Sequence, residues 1–277
     1  METEFPQLHR PATRRSLIAA MAAIPAVMAA PRSLSATALP PAPAKAISIV
    51  ARKPGLSHDV FRQHWLGIHG PMARKVPDLL GFILSEAVQD SGAAASMANY
   101  KHRFDGLAHI WFQSPQAMRA SMASQDARNW IADGNLFIDR QASCNFSVTE
   151  QIIVPPPRLE GGLKRTLLLV RKPGTTHEEF LEHWTKKHAD LARNVPGLLG
   201  CVFNRIDASL GREGSPWAEI DGITETWWDS GADNMGGRVE SRQAAAWSAD
   251  GAAFLDSSRT RAIVSIEHVM IEPIIPS

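Results

Sequence analysis

Apolar and polar positions along this chain follow one pattern written twice. Each copy opens with a short apolar run, Ala46 to Ala51 and Thr166 to Val170, whose length and β-branched and leucine content predict a strand ended by a Lys-Pro-Gly turn. Ser57 and Thr176 follow, placed to accept the free amide hydrogens of a first helical turn, and amphipathic segments run on to Val76-Pro77 and Val195-Pro196. In the first copy Leu80 to Glu86 and Leu107 to Phe112 read as strands, Pro115 to Asp133 as a helix and Asn145 to Val154 as a last strand. The predicted order is β-α-β-β-α-β, an α+β unit with a four-stranded antiparallel sheet and both helices on one face. Sliding residues 52–82 by 119 positions gives 16 identities in 31 places, which marks the halves as repeats. Two such sheets can bury each other's open faces, so the chain is expected to close in cis a barrel that a single-copy protein would complete as a dimer.

The repeats are expected over residues 39–154 and 164–277, joined by a proline-stiffened linker at 155–163. Before them, residues 1–38 carry Arg14-Arg15, a mild apolar run and Ala36-Thr37-Ala38, and this segment resembles a twin-arginine export signal cleaved after Ala38. The resemblance implies the twin-arginine translocase as a partner and a periplasmic or secreted mature protein. The apolar stretch from Leu17 to Ala30 is shorter than the roughly 20 residues a spanning helix uses. A formal net charge of +1 without any basic stripe argues against a nucleic-acid partner. Cys144 and Cys201 are too few for a disulfide scaffold and are expected as buried thiols, a single bridge between them remaining open.

Phe61, His64, Trp65 and His69, then Val76-Pro77 and Leu79-Leu80-Gly81, return as Phe180, His183, Trp184 and His188, Val195-Pro196 and Leu198-Leu199-Gly200. With Asp105-Gly106 and Trp111, and Asp221-Gly222 and Trp227, downstream, this combination resembles the EthD family in both copies. The resemblance implies two ferredoxin-like units forming an intramolecular dimeric α/β barrel, with a pocket between sheet and helices. Relatives in that wider superfamily include cofactor-free monooxygenases, polyketide cyclases, lactone isomerases and haem peroxidases, so the fold leaves the reaction open. The first copy keeps the family's usual His69-Gly70-Pro71, whereas the second has His188-Ala189-Asp190, which points to an altered second site.

Among the histidines, His69 and His188 are the candidate bases, each following a tryptophan by four residues near a helix end. Their expected partners are His109 and Glu225, which alternate onto one strand face with Trp111 and Trp227. Glu225 resembles the family's residue at this place and His109 departs from it. Trp65, Trp184, Trp111 and Trp227 are expected to wall a site for a small apolar organic molecule. On a regular helix His64 and His69 would point about 140° apart, and His58 and His69 would lie roughly 16 Å apart, which disfavours a helix-borne metal site. Asp105 and Asp221 read as turn formers, Asp133 and Asp250 as caps, Trp130 and Trp247 as core. Residues 88–104 and 207–219 read as a loose hairpin or lid. No cofactor is expected; the reading is histidine-based proton transfer, with a haem peroxidase-like oxidoreductase or a ligand-binding module without turnover as alternatives. Homo-oligomerisation is compatible with either.

Overall fold

A computed structural model describes residues 43–88, 104–157, 163–210, 217–228 and 241–274, without the side chains of 208–210. The expected export signal, and most of the expected hairpin or lid segments, lie outside the described residues. The first repeat is built from β1 (Ala44–Val50), α1 (His58–His64), a π-helical turn (Trp65–His69), α2 (Gly70–Met72), β2 (Leu79–Ala87), β3 (Gly106–Phe112), α3 (Pro115–Met122), α4 (Gln125–Phe137) and β4 (Cys144–Val154). The second comprises β5 (Leu163–Leu169), α5 (His177–His183), a second π turn (Trp184–His188), α6 (Ala189–Ala192), β6 (Leu198–Leu210), β7 (Gly222–Trp228), α7 (Arg242–Phe254) and β8 (Arg261–Ile271).

Ser57 and Thr176 cap α1 and α5 as expected, Thr176 within a capping box completed by Glu179. The single helix expected from Pro115 to Asp133 is instead two. Ser124 takes an extended conformation and accepts the Ala127 amide hydrogen, which starts α4 afresh and carries it on to Phe137. Leu163, the last residue of the expected linker, already pairs with Ile266 in β5.

All eight strands form one closed antiparallel barrel in the order β1-β3-β2-β8-β5-β7-β6-β4. Each repeat supplies a four-stranded sheet, and the repeats join edge to edge through β2–β8 and β4–β6. Closure satisfies the edge strands that a lone repeat would expose. Strand alternation then separates two environments. Ile47, Ile49, Leu107, Phe146, Leu168, Ile223 and Ile263 face the lumen and fill one end of it. On the outer faces, helices bury Phe61, Trp65, Phe82, Trp130 and Phe137 in the first repeat and Phe180, Trp184, Phe203 and Phe254 in the second.

Asp105 and Asp221 are not simple turn formers. Both are buried, accept the backbone amides of Arg52 (2.7 Å) and Arg171 (2.9 Å), and pair with the same arginines' guanidinium groups. The glycines after them serve a close approach: a Cβ on Gly222 would lie 2.5 Å from the Trp184 ring, and one on Gly106 would lie 2.6 Å from the Trp65 ring. Overpacking of this kind costs about 1–3 kcal/mol. Gly222→Ala is therefore expected to lower the urea midpoint with little change in the slope of the transition, and an unchanged midpoint would show that the tryptophan can move aside. Cys144 and Cys201 are both buried, and neither forms a disulfide. Burial pushes the Cys201 thiol up, away from reactivity.

Candidate active site

The π turn decides the geometry of the histidines. Its amide hydrogens bond five residues back, as Gly70 does to the Trp65 carbonyl, so the turn is wider than an α-turn. His64 and His69, expected on different flanks, are thereby brought onto a common carboxylate. His64 Nε2 lies 3.0 Å from Asp133 Oδ1, and His69 Nδ1 lies 2.8 Å from Asp133 Oδ2. The second repeat builds the same unit: His183 Nε2 lies 3.0 Å and His188 Nδ1 2.9 Å from Asp250 Oδ2. Asp133 and Asp250, read from sequence as caps, are thus the central carboxylates. Their signal was the recurrence of Trp130, Asp133 and Phe137 as Trp247, Asp250 and Phe254, one helical face each.

Each imidazole is packed as well as hydrogen-bonded. Trp130 stacks on His69 at 5.2 Å and donates its indole hydrogen to the His69 carbonyl, while Phe137 meets the ring edge-on at 5.1 Å. Trp247 stacks on His188 at 5.2 Å and Phe254 meets it edge-on at 5.1 Å, but the Trp247 indole hydrogen has no protein partner among the described residues. These tryptophans, expected as core, therefore belong to the site's frame. Burial lowers the His69 pKa, partly opposed by Asp133, and lowers that of His188 to about 4. Burial alone would raise Asp250, but hydrogen bonds from Lys187, His188 and His183 hold it at about 2. A carboxylate on Nδ1 fixes the hydrogen there and leaves the Nε2 lone pair available, the arrangement of a neutral general base at pH 7.

Native His188 remains neutral where an unfolded imidazole is charged, so the unfolded state binds more protons between pH 6.5 and about 4. Stability from this group is complete above pH 6.5 and falls as pH drops through that window, by up to about 3 kcal/mol. Urea titrations at pH 7, 5.5 and 4.5 should show the slope, flattened in His188→Gln. An equal slope in the variant would place the lost protons elsewhere.

The other predicted residues occupy different ground. Trp65 and Trp184 lie beneath the histidines, 1% and 0% exposed, against the glycines of β3 and β7. The expected pocket between sheet and helices is therefore filled, because these two rings and their phenylalanine neighbours occupy it. His109 and Glu225 do not approach His69 or His188 as the sequence suggested; their strand face is the barrel lumen. Nor are they at an exposed rim, being 1% and 2% exposed.

In the lumen Glu225 bridges two buried lysines, at 2.7 Å from Lys164 and 3.2 Å from Lys45. Lys45 also pairs with Glu150, and Lys164 with Glu267 at 2.9 Å. Lys164 Nζ lies 3.2 Å from His109 Nε2. An ammonium offers only hydrogens, so Nε2 carries the lone pair and Nδ1 the hydrogen, 3.6 Å from Glu225 Oε1. Burial, then Lys164, hold His109 well below the ordinary imidazole pKa. Burial would raise Glu225, but Lys164 and Lys45 outweigh it and keep the carboxylate ionised. Trp111 and Trp227 lie beneath the ammoniums of Lys45 and Lys164, at 4.7 and 5.5 Å. Sequence reasoning missed both lysines, because each stands just ahead of an apolar run, Lys164 with Arg165 beside it, and reads as a strand end.

A cleft of about 670 Å³ lies beside the Arg171–Asp221 pair and is lined by Lys172, His177, Asp207 and Arg259 among others. None of the sequence-predicted site residues lines it. Among the described residues no group of three or more His, Cys, Asp or Glu side chains is arranged to hold a metal ion.

A family model described as EthD domain matches the chain twice, at residues 53–141 and 172–258. No curated protein sequence matches it. Among solved structures, a "putative monooxygenase" from Fusobacterium nucleatum superposes with a TM-score of 0.55 at 10% identity, covering 86% of this chain and 98% of the other. A second protein so described, from Lactobacillus acidophilus, gives 0.53 at 11% identity over 85% and 100% of the two chains. An anthrone oxidase-like protein gives 0.54 at 11% over 85% and 96%. At such identities these likenesses establish the fold and leave the chemistry to the site.

Proposed function

The chain belongs to the EthD family, and on that premise we propose that it binds a small, largely apolar organic molecule and moves a proton on it without a cofactor. His69 is the base in this reading. The observation that carries it is the His69 Nδ1–Asp133 contact of 2.8 Å, which leaves Nε2 without a protein hydrogen bond among the described residues. A C–H proton next to a carbonyl would pass to Nε2 while the electron pair stays on the substrate as an enolate. Asp133 stabilises the imidazolium so formed, and return of the proton to another carbon completes an isomerisation. The same carbanion, onward, would serve a cyclase, lyase or oxygenase.

Haem ligation does not fit these residues. The Cε1 edge of each ring faces helix backbone: a Cβ at Gly134 or Gly251 would stand 3.3 or 3.4 Å from Cε1 of His69 or His188. A macrocycle centred on Nε2 would have to spread over that same ground. The residues of 1–38 support export by the twin-arginine route, and N-terminal sequencing of the protein recovered from periplasm or medium should begin near Leu39.

The test of the activity is deuterium incorporation into a panel of enolisable aryl ketones in D2O, read by NMR. Wild-type protein is expected to exchange at least one of them above buffer catalysis. Exchange with none, the protein being folded, would leave a binding module in place of an enzyme.

A further inference from the structure

The two histidine sites share a frame but differ in what surrounds the base. Arg140 follows α4, and one of its guanidinium nitrogens converges with His69 Cε1 over the buried Gly134, at 3.2 and 3.3 Å from where a Cβ would sit. Arg140 Nε donates to the Asn135 side-chain oxygen (2.9 Å) and Nη2 to the Ile131 carbonyl (3.4 Å). No carboxylate pairs with it among the described residues, although Asp133 lies one residue from Gly134. Arginine beside a base and without a counter-ion is a ready partner for an oxyanion, which its planar fork of donors fits. Ile68 and Ile131, the residues next to His69 and Trp130, are 52% and 41% exposed. They leave exposed apolar side chains on the helical turns that carry His69 and Trp130.

The second repeat has replaced all three. By the spacing that relates Trp130 to Trp247, Arg140 corresponds to Ser257 and Ile131 to Ser248, and by the spacing that relates His69 to His188, Ile68 corresponds to Lys187. Lys187, its side chain 65% exposed, reaches Asp250 at 2.7 Å. The positive charge in that repeat is therefore spent on the carboxylate behind the histidine, where it opposes protonation of the ring.

We infer that the first repeat alone is a site for an amphipathic organic anion, an aryl or alkyl carboxylate or enolate, whose oxygen pairs with Arg140 and whose apolar body lies against Ile68 and Ile131. This rests on the reading of His69 as the base and supplies that reading with a substrate class. An enolate oxygen paired with Arg140 is what loss of a C–H proton to His69 leaves on the substrate, so the contact that holds the anion also stabilises the product of the transfer.

The experiment uses the whole chain with benzoate as probe and benzyl alcohol as its uncharged analogue, followed through the imidazole 15N and 13Cε1 resonances. Benzoate is expected to shift His69 and to leave His188 in place, with benzyl alcohol binding at least ten-fold more weakly. Arg140→Gln should weaken benzoate at least ten-fold without altering the alcohol, and Arg140→Lys should restore part of the loss. Equal shifts at His69 and His188, or benzoate binding indifferent to Arg140→Gln, would overturn the assignment. The same spectra report the tautomer of His69. A hydrogen on Nε2 there would defeat the base reading itself, whereas a hydrogen on Nδ1 with no role for Arg140 would defeat only the anion site.

Discussion

Turnover in His69→Ala is expected to fall by about 10²- to 10⁴-fold with the far-ultraviolet circular dichroism unchanged. The side chain is at the edge of the helix layer and 7% exposed, so removing it deletes the acceptor without opening the barrel. Asp133→Asn should lower turnover as well, for a different reason: an amide can still accept the Nδ1 hydrogen but carries no charge to stabilise the imidazolium. That variant should also bring the acid limb of the pH–rate profile down further, since the carboxylate is what opposes the effect of burial on His69. His188→Ala is the comparison that reports whether the second repeat turns over at all. Activity retained in His69→Ala and lost in His188→Ala would reverse the assignment of the working half.

Glu225→Leu is expected to cost about 3–5 kcal/mol of folding stability, the range seen when one partner of a buried ion pair is removed. One carboxylate contacts the ammoniums of Lys45 and Lys164, which are 3% and 1% exposed. Without it both charges lose their shared partner, which leaves Glu150 to Lys45 and Glu267 to Lys164. Glu150→Gln should cost less, because Glu150 side-chain exposure of 16% lets water take its place. Thermal unfolding would register the difference as a fall on the order of 10 °C for Glu225→Leu. A midpoint within a degree of wild type would mean that the lumen repacks around the lysines, and that the network is not a structural requirement.

The architecture was largely legible in the chain because the repeat doubles every signal. A capping hydroxyl, strand alternation and the Val-Pro stop each occur twice, and the barrel follows once two open sheet faces must cover each other. The histidine site was legible only in part. His69 and His188 stand out by position, but the partners the sequence suggests lie on the other side of the sheet, because alternation shows that His109 shares a face with Trp111 without showing which face is the lumen. The π turn is not legible: Trp65 to His69 and Trp184 to His188 have no residue that announces a wider turn, and a regular helix puts His64 and His69 on different flanks. The filled pocket had the same origin. A tryptophan four residues before a histidine suits a cavity wall or a core equally, and the glycine facing it from β3 or β7 is what decides for the core.

The joining of β2 to β8 and of β4 to β6 within one chain has a consequence for how this protein can change. In an assembly of two identical subunits every substitution is made on both sides of the axis at once, so a cation gained beside one base is gained beside the other. Here each half is encoded separately while the shared barrel keeps them together. Arg140 and Ser257, Ile68 and Lys187, and His109 and Glu225 are differences that only such a covalent pair can hold.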